Sequence, residues 1–249
     1  MSAPPPPDDL LQRFTTDASP GYANVRPRDA STLILLDRSG PVPKVLMGKR
    51  HHGHVFMPGR YVFPGGRIDP ADRRMPVAAP LDPRMQAKLM MHIRRPSAAK
   101  AQTLALTAIR ETFEETGLLL GRKSETAPVA PDAAWQAFVE AKILPDLSTM
   151  HFIARAITPP SRNRRYDTRF FTADASTIAH KIDGKVGPDS ELVDLVWVPL
   201  PDIKQHIELM AITELVLREL QAQLDHGFSH DLPVPYFHVV RGKRVRDML

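Results

Sequence analysis

The chain is predicted to have an α/β fold, an α/β/α sandwich in which a mixed sheet lies between helices. One observation is the order of the elements, because strand-like runs precede, separate and follow helical ones. A second is a pair of amphipathic helices, at about 97–117 and 212–224, each with one apolar face. The third is the composition, since 43% hydrophobic and 24% charged residues among 249 are ordinary for a globular protein with a sizeable core.

The first predicted strands follow a polar N-terminal segment. Residues 1–25 are rich in proline and polar side chains, so we expect a disordered tail there. Residues 31–36 and 45–48 are predicted to be strands, and the turn-forming residues at 37–43 join them. These two strands open the predicted sheet.

An insert at about 70–97 separates the first strands from the main helix. It holds five prolines between positions 70 and 96, and one helical stretch is predicted at 83–93. The apolar side of this stretch consists of Met85, Leu89 and Met90. We expect these side chains in the core, rather than in a lid or a dimer contact.

The main helix is predicted from its caps and its apolar face. Ser97 follows a proline and is a good N-cap, and Gly117 is suited to a left-handed C-cap. Leu106, Ile109 and Phe113 share one side of the helix between these caps, which is the side expected to face the core.

The second half of the chain contains the remaining elements. We predict, in order, a helix over 133–143, strands over 151–157, 168–173 and 192–198, the helix over 212–224 and a strand over 236–240. Residues 26–228 are expected to form one domain, and residues 229–249 a basic C-terminal extension.

Three glutamates mark the end of the main helix. Glu111, Glu114 and Glu115 follow an i, i+3, i+4 spacing, which places them on one face of a helix. Like charges about 4 Å apart repel by roughly 4 kcal/mol per pair at an effective dielectric near 20, and a divalent cation would reverse that cost. Mg²⁺ takes oxygen ligands and usually completes its shell with water and substrate phosphates. The pattern therefore indicates half of a metal site for a phosphate-bearing ligand.

A second signal lies upstream, in Phe63-Pro64-Gly65-Gly66. Paired glycines after a strand allow positive φ and the close approach of a ligand to the backbone. Together the two segments resemble the Nudix hydrolase box, G-x5-E-x7-R-E-U-x-E-E-x-G-U, in which U is an aliphatic residue. Gly66 supplies the opening glycine, and the matching positions of the second half are Arg110, Glu111, Glu114, Glu115, Gly117 and Leu118.

The spacing of the box departs from this pattern. Arg110 follows Gly66 by 44 positions, so about thirty residues are inserted. Counted back from Arg110, the first Glu of the pattern falls on Gln102. The candidates for a replacement oxygen ligand, among which the sequence does not choose, are Asp69, Asp72 and Glu191.

The long insert resembles one branch of the superfamily, the coenzyme A diphosphatases of the mammalian peroxisomal type. Residues 56–66 are similar to the segment that leads up to the box in that branch. Residues 165–171 are similar to the strand that follows the box. Residues 197–200 resemble a late strand of many Nudix domains. The resemblance spans roughly residues 28–225. It implies a Nudix-type sandwich with an insert between Gly65-Gly66, called the Gly-Gly corner below, and the catalytic helix.

The same resemblance implies a metal-dependent hydrolase that cleaves the diphosphate bond of a nucleoside diphosphate-linked compound. Glu111, Glu114 and Glu115 would bind Mg²⁺ or Mn²⁺, and Glu114 or Glu115 would accept the proton of the attacking water. Arg110 would orient these carboxylates. The expected substrate-binding residues are Gly65, Gly66, Arg60, Arg50 and Lys49.

Three functions stay open at this point. The first is hydrolysis of coenzyme A or acyl-coenzyme A, and the second is hydrolysis of ADP-ribose or a dinucleotide. The third is a weakly active Nudix-fold module that binds a ligand, because Gln102 stands where the pattern has its first Glu. The three intact glutamates argue against the third function.

Charge and composition limit the kinds of ligand and the kinds of site that we expect. The net charge of +5 suits an anionic small molecule, and we do not expect nucleic acid because basic residues are scattered and only 6% of residues are aromatic. The absence of cysteine excludes disulfides, thiol catalysis and Cys-ligated zinc. With no apolar run of about 20 residues and no signal-like start, we expect a cytoplasmic protein without a membrane span. A homodimer stays open.

Overall fold

A mixed sheet of nine strands is the centre of the structure, a computed structural model that describes residues 10, 11, 13, 25–51, 53, 59–160, 162 and 164–249. Four shorter strands form two small sheets beside it. In chain order the strands are β1 (Arg28–Asp37), β2 (Lys44–Arg50), β3 (Tyr61–Val62), β4 (Gly65–Arg67), β5 (Leu118–Leu120), β6 (Arg122–Lys123), β7 (Ile143–Leu144), β8 (His151–Ile157), β9 (Tyr166–Asp174), β10 (Ile178–Lys181), β11 (Leu192–Pro199), β12 (Pro235–Val240) and β13 (Lys243–Met248).

The main sheet has the strand order β11-β2-β1-β9-β8-β12-β13, with β3 beside β2 and β4 beside β1. β1 runs parallel to β9 and β12 runs parallel to β8, whereas the other neighbours in this sheet are antiparallel. The sheet is therefore mixed, as predicted. Each strand predicted from the sequence lies within an observed strand, because short apolar runs such as those at 33–36 and 45–47 mark strands that are buried on both faces.

Helices lie on both faces of the main sheet. They are α1 (Pro83–Leu89), α2 (Ala98–Thr116), α3 (Gln136–Glu140), α4 (Ile203–His206) and α5 (Ala211–Asp225). Successive residues of β1 point to opposite faces, so Leu33 and Leu35 join the core under α2, whereas Ile34 and Leu36 join the core under α5. This arrangement confirms the predicted α/β/α sandwich.

The helix α2 begins and ends where the sequence predicts. The Ser97 hydroxyl accepts a hydrogen bond from the Lys100 backbone N–H at 3.1 Å, and Gly117 adopts the left-handed conformation with φ of 77°. Leu106, Ile109 and Phe113 are buried in the core under α2. Capping and periodicity therefore fixed this element locally.

The insert packs against α2 rather than standing apart. Met85 and Leu89 are buried in the core and Met90 packs against it, which confirms the expected core role. The helix α1 is shorter than predicted, since it ends at Leu89 and His92 has a positive φ of 51°.

The predicted helix over 133–143 is divided into a 3₁₀ turn over Ala133–Trp135, the short helix α3, and β7. Lys142 ends the helical stretch because its φ of 52° is left-handed. Trp135 and Phe138 are buried, so the predicted apolar face is retained although the helix is not.

The two ends of the chain also contact the main body. Residues 1–25 lie largely outside the described residues, but Leu10 is buried in the core under α5. Within the expected extension 229–249, β12 and β13 add two strands to the main sheet, and Phe237 is buried. In the part of the chain that the structure describes, no helix combines the length and the apolar character that a membrane span requires.

Candidate active site

The last turns of α2 hold the three glutamates beside Arg110. Arg110 Nη1 lies 2.8 Å from Glu114 Oε2 and 2.9 Å from Glu111 Oε1. Arg110 Nη2 donates to the Arg67 carbonyl at 2.9 Å, which ties α2 to β4. One guanidinium thus orients two of the three carboxylates and fixes their distance from the Gly-Gly corner.

The carboxylate of Asp72 fixes the position of Arg110. The side chain of Asp72 is fully buried and accepts from Arg110 Nε at 2.8 Å. The same carboxylate accepts from Thr107 Oγ1 at 2.7 Å and from Trp135 Nε1 at 3.1 Å. A buried carboxylate is tolerated only when it is paired and hydrogen-bonded, and Asp72 meets both conditions. It therefore determines where the guanidinium of Arg110 lies.

Two glycines allow the carboxylates to approach the sheet. A Cβ on Gly66 would lie 2.4 Å from the Glu111 carboxyl carbon, and a Cβ on Gly65 would lie 2.5 Å from Thr32 Oγ1. The backbone amide of Gly65 favours the charged form of the Glu115 carboxyl and so opposes the rise of its pKa. Gly65 and Gly66 lie in β4 and neither has a positive φ, so the expected left-handed turn is absent at these two residues. The pair is needed instead for its lack of side chains.

Glu115 is the most buried of the three glutamates. Burial raises its pKa well above the ordinary value, and the neighbouring Glu191 raises it further, whereas Arg50 opposes the shift. Its Oε2 atom is buried and has no hydrogen-bond partner among the described residues. An unpartnered buried carboxylate oxygen is costly unless it binds a proton or a cation.

The other two glutamates are shifted in the same direction. Burial raises the pKa of Glu111 to about 7, where the attraction of Arg110 partly offsets the burial and the repulsion from Glu114. Burial also raises the pKa of Glu114, against the attraction of Arg110. Three carboxylates with raised pKa values at one helix end are typical of a functional site.

Arg50 and Glu191 extend the charged site on the β2 side. Arg50 Nη2 lies 2.9 Å from Glu191 Oε1, and both side chains act on the titration of Glu115. Glu191 precedes β11, whose first residue lies opposite Arg50 in the sheet. The structure thus brings one expected substrate-binding residue, Arg50, to the glutamates.

Lys49 and Arg60, two further expected substrate-binding residues, make contacts elsewhere. Lys49 Nζ lies 6.0 Å from the centroid of the Tyr61 ring, and Tyr61 packs against the core under α5. Arg60 Nη1 lies 2.5 Å from Glu208 Oε1. Neither residue contacts a glutamate of α2 in the described part of the chain, and their role stays a prediction.

The residues at the end of α2 fit a divalent cation by their chemistry. They offer carboxylate oxygens, which hard cations select, and the unpartnered Glu115 Oε2 supplies a buried position where a positive charge is favourable. Across the described ranges, no three acidic or histidine side chains converge on one point. Glu111 and Glu114 are instead turned toward Arg110.

Asp72 is the residue that the sequence interpretation missed as the acidic position of the box. Counting back from Arg110 led to Gln102, but counting forward six positions from Gly66 leads to Asp72. The insert therefore lies between Asp72 and Arg110, and it leaves the acidic position of the pattern in place. Of the three replacement candidates, Asp72 contacts Arg110 and Glu191 lies near Glu115.

The chain was compared with known families and solved structures. The family described as the NUDT19 Nudix domain matches residues 27–212, which is more than half of the chain. A Nudix hydrolase from Alicyclobacillus acidocaldarius is 26% identical, with a TM-score of 0.57, over 82% of this chain and 97% of that one.

Two further solved structures are more distant. The Nudix domain of Shewanella oneidensis NrtR, complexed with ADP ribose, is 15% identical with a TM-score of 0.44, over 80% of this chain and 90% of that one. A MutT Nudix hydrolase from Burkholderia pseudomallei is 17% identical with a TM-score of 0.44, over 79% and 99%. The family match, together with the R-E-x-x-E-E helix beside the Gly-Gly corner, leads to one conclusion: the chain belongs to the family of the NUDT19 Nudix domain and is a Nudix hydrolase.

Proposed function

We propose that this enzyme hydrolyses the diphosphate bond of coenzyme A or acyl-coenzyme A with the help of Mg²⁺ or Mn²⁺. The observation that carries the metal dependence is the buried, unpartnered Oε2 of Glu115 beside two further carboxylates. The preference for coenzyme A is supported by the long insert and by residues 56–66 and 165–171, which resemble the coenzyme A diphosphatase branch. Other nucleoside diphosphate-linked compounds are alternative substrates.

Glu111, Glu114 and Glu115 would hold the cation. When bound, a divalent cation neutralises phosphate oxygens and lowers the pKa of a bound water. Arg110 would keep Glu111 and Glu114 apart and correctly oriented, since its Nη1 bonds both carboxylates. Asp72 would act only through Arg110, as a positioning residue.

Glu114, Glu115 and Arg50 would act on the attacking water and on the diphosphate. The water oxygen forms a bond to one phosphorus, and the bridging oxygen leaves with the other phosphate. The raised pKa values of Glu114 and Glu115 suit either carboxylate to accept the proton that the water releases. Arg50, which lies beside Glu191, would offer a cation to a phosphate oxygen.

A hydrolysis panel tests this proposal. Coenzyme A, acetyl-coenzyme A, ADP-ribose and NADH are incubated with the enzyme and Mg²⁺, and the products are separated by chromatography. We expect coenzyme A to yield 4′-phosphopantetheine and 3′,5′-ADP, with the rate reduced about 100-fold or more in Glu115→Gln. The exposed Glu125→Gln serves as the matched control and keeps the wild-type rate.

The other outcomes have distinct meanings. Turnover of ADP-ribose or NADH alone would retain the chemistry and discard the assignment to coenzyme A. A rate that does not depend on the divalent cation would contradict the role of the three glutamates. No turnover of any compound would favour the ligand-binding module. The main reason for that alternative was Gln102 at the first Glu of the pattern, and the contact of Asp72 with Arg110 removes this reason.

A further inference from the structure

A cavity of about 480 Å³ lies near the start of α2, away from the glutamates. We call it the arginine pocket, because its lining includes Arg26, Arg94, Arg95, Lys100 and Arg155. Lys100 is in the first turn of α2 and Glu111 is eleven residues further on, so the two lie about 16 Å apart along the helix axis. The arginine pocket is therefore separate from the candidate active site.

Four of the lining residues, Asp29, Lys100, Arg155 and Asp167, belong to a network of ion pairs at the floor of the pocket. Asp167 forms two hydrogen bonds with Arg155, at 2.8 and 2.7 Å, and Asp29 lies 2.9 Å from Lys100 Nζ. Arg169, which is fully buried, donates through Nη1 to Asp29 at 2.6 Å and lies 3.3 Å from Asp167. Both carboxylates are thus shared among three cations, and the network carries an excess positive charge.

Arg169 also has donors that the network does not use. Its Nε and Nη2 atoms are buried and have no partner in the described ranges. A buried guanidinium with unused donors is costly, because the protein has removed it from water without replacing all its hydrogen bonds. Arg169 does not itself line the pocket, so an anion there would lower this cost through its charge and not by accepting these hydrogen bonds.

The rim of the pocket adds cations that have no acidic partner. Arg26, Arg94 and Arg95 are exposed, and none of them pairs with a carboxylate of the described chain. Arginine binds phosphate through two parallel hydrogen bonds and keeps its charge at any physiological pH. Arg94 and Arg95 belong to the insert, so the insert supplies two of the three exposed cations of this rim.

The walls of the pocket are less polar than its rim and floor. Ile93, Ile157 and Tyr236 line the cavity, and the Arg155 guanidinium lies 4.4 Å from the centroid of the Tyr236 ring. The volume is within the range of small-molecule sites and exceeds the size of an inorganic phosphate ion. The pocket thus has room for an organic group as well as for an anion.

We propose that the arginine pocket is a second ligand site, which binds the phosphate group of a phosphate monoester of about nucleotide size. The rim arginines and Lys100 would contact the phosphate oxygens, and the apolar walls would contact the organic part. This proposal goes beyond the proposed hydrolysis and does not depend on it. The phosphate could belong to the far end of a long substrate or to a separate molecule.

Calorimetric titration of the full-length protein with AMP tests the proposal. EDTA is present throughout, so that no divalent cation links AMP to the glutamates. We expect AMP to bind at one site, and adenosine, which lacks the phosphate, to bind at least about tenfold more weakly. Added KCl should weaken the binding of AMP, because the rim is exposed to solvent.

Two double variants show whether the binding depends on this pocket. Arg94→Glu with Arg95→Glu should weaken the binding of AMP about tenfold or more. The matched control, Arg241→Glu with Lys243→Glu, makes the same change of charge at an exposed hairpin turn and should leave the affinity unchanged. Equal affinities in the two variants, or no binding of AMP by the wild type, would overturn the proposal.

Steady-state kinetics then distinguish the two sources of the phosphate. If it belongs to the substrate, the Arg94→Glu, Arg95→Glu variant raises KM and AMP competes with that substrate. If it belongs to a separate molecule, KM is unchanged and AMP alters kcat without competition. Both results keep the pocket as a phosphate site, and the titration in EDTA stands even if no hydrolysis is found.

Discussion

Arg110 is the residue on which the arrangement of the candidate active site depends. Its guanidinium is fixed by Asp72 and Arg67 on one side, and it orients Glu111 and Glu114 on the other. Lysine could not make these contacts, because the geometry uses the planar fork of the guanidinium. Replacing any partner of Arg110 should therefore change the orientation of the Glu111 and Glu114 carboxylates.

Replacement of Asp72 tests this dependence. Asp72→Ala removes the buried acceptor shared by Arg110 Nε, Thr107 Oγ1 and Trp135 Nε1, so we expect a loss of about 3–5 kcal/mol in the free energy of unfolding. Asp72→Asn keeps some of the hydrogen bonds and should cost less stability, but should still lower kcat. Chemical denaturation and the hydrolysis assay measure the two effects. Asp69→Asn, at an exposed position three residues away, is the control, and equal effects of the two asparagine variants would contradict the role of Asp72.

The pH dependence of stability tests the environment of Glu111. Its folded pKa of about 7 lies above the ordinary value of 4.5, so the folded state holds an extra proton between these values. The stability that this group contributes is complete below about pH 4.5 and is lost as the pH rises through 7. Glu111→Gln stays neutral at every pH, so in metal-free buffer its Tm should rise relative to the wild type from pH 5 to 8. A difference that stays constant with pH would contradict this.

At the scale of elements, the candidate active site is the place where α2 meets β4. The contact is close only because Gly66 has no side chain. The close approach of α2 to β4 is a property of these two elements, whichever metal or substrate binds. It can be tested by adding one methyl group.

Gly66→Ala should reduce activity more than stability. The added Cβ would lie 2.4 Å from the Glu111 carboxyl carbon, so this flexible side chain must move away from its position. A displacement of about 1 Å in a catalytic group can cost about 100-fold in rate, and we expect a loss of that order in kcat/KM. Gly40→Ala is the matched control, because no atom lies within 4 Å of its added Cβ. Wild-type kinetics in Gly66→Ala would show that Glu111 does not need this position.

The two parts of the site differ in how far the sequence could predict them. Ser97, Gly117 and the apolar face of α2 were predicted correctly, because caps and periodicity act within a few residues. Asp72 was one of three candidates among which the sequence could not choose, because its partner Arg110 lies across the insert and only a contact in three dimensions identifies the pair. The glutamates of α2 share a face by local spacing, but their orientation depends on Arg110.

At the scale of the whole molecule, the C-terminal residues extend the sheet that carries the site. β12 lies parallel to β8, and β13 pairs with β12 at the edge. The sequence predicted a strand over 236–240 but could not predict its neighbours, since a strand pattern does not name the strand it pairs with. The core under α5 therefore includes residues that follow α5 in the chain.

Phe237 allows a test of this extension. Phe237→Ala removes a side chain that is 1% exposed in the core under α5, so we expect a loss of about 3–5 kcal/mol in the free energy of unfolding. Val240→Ala, in the same strand but 44% exposed, should cost far less. Chemical denaturation measures both variants. A small effect of Phe237→Ala would indicate that the C-terminal strands fold apart from the main sheet.

The pairing of Asp72 with Arg110 has a consequence for the way the chain folds. The two residues are 38 positions apart, and the contact closes a loop that contains the whole of α1. Closing such a loop adds a loop-closure entropy cost, which local helix formation does not carry. During refolding, α2 can therefore form while Arg110 still lacks its buried partner, and catalytic competence should return later than helical content.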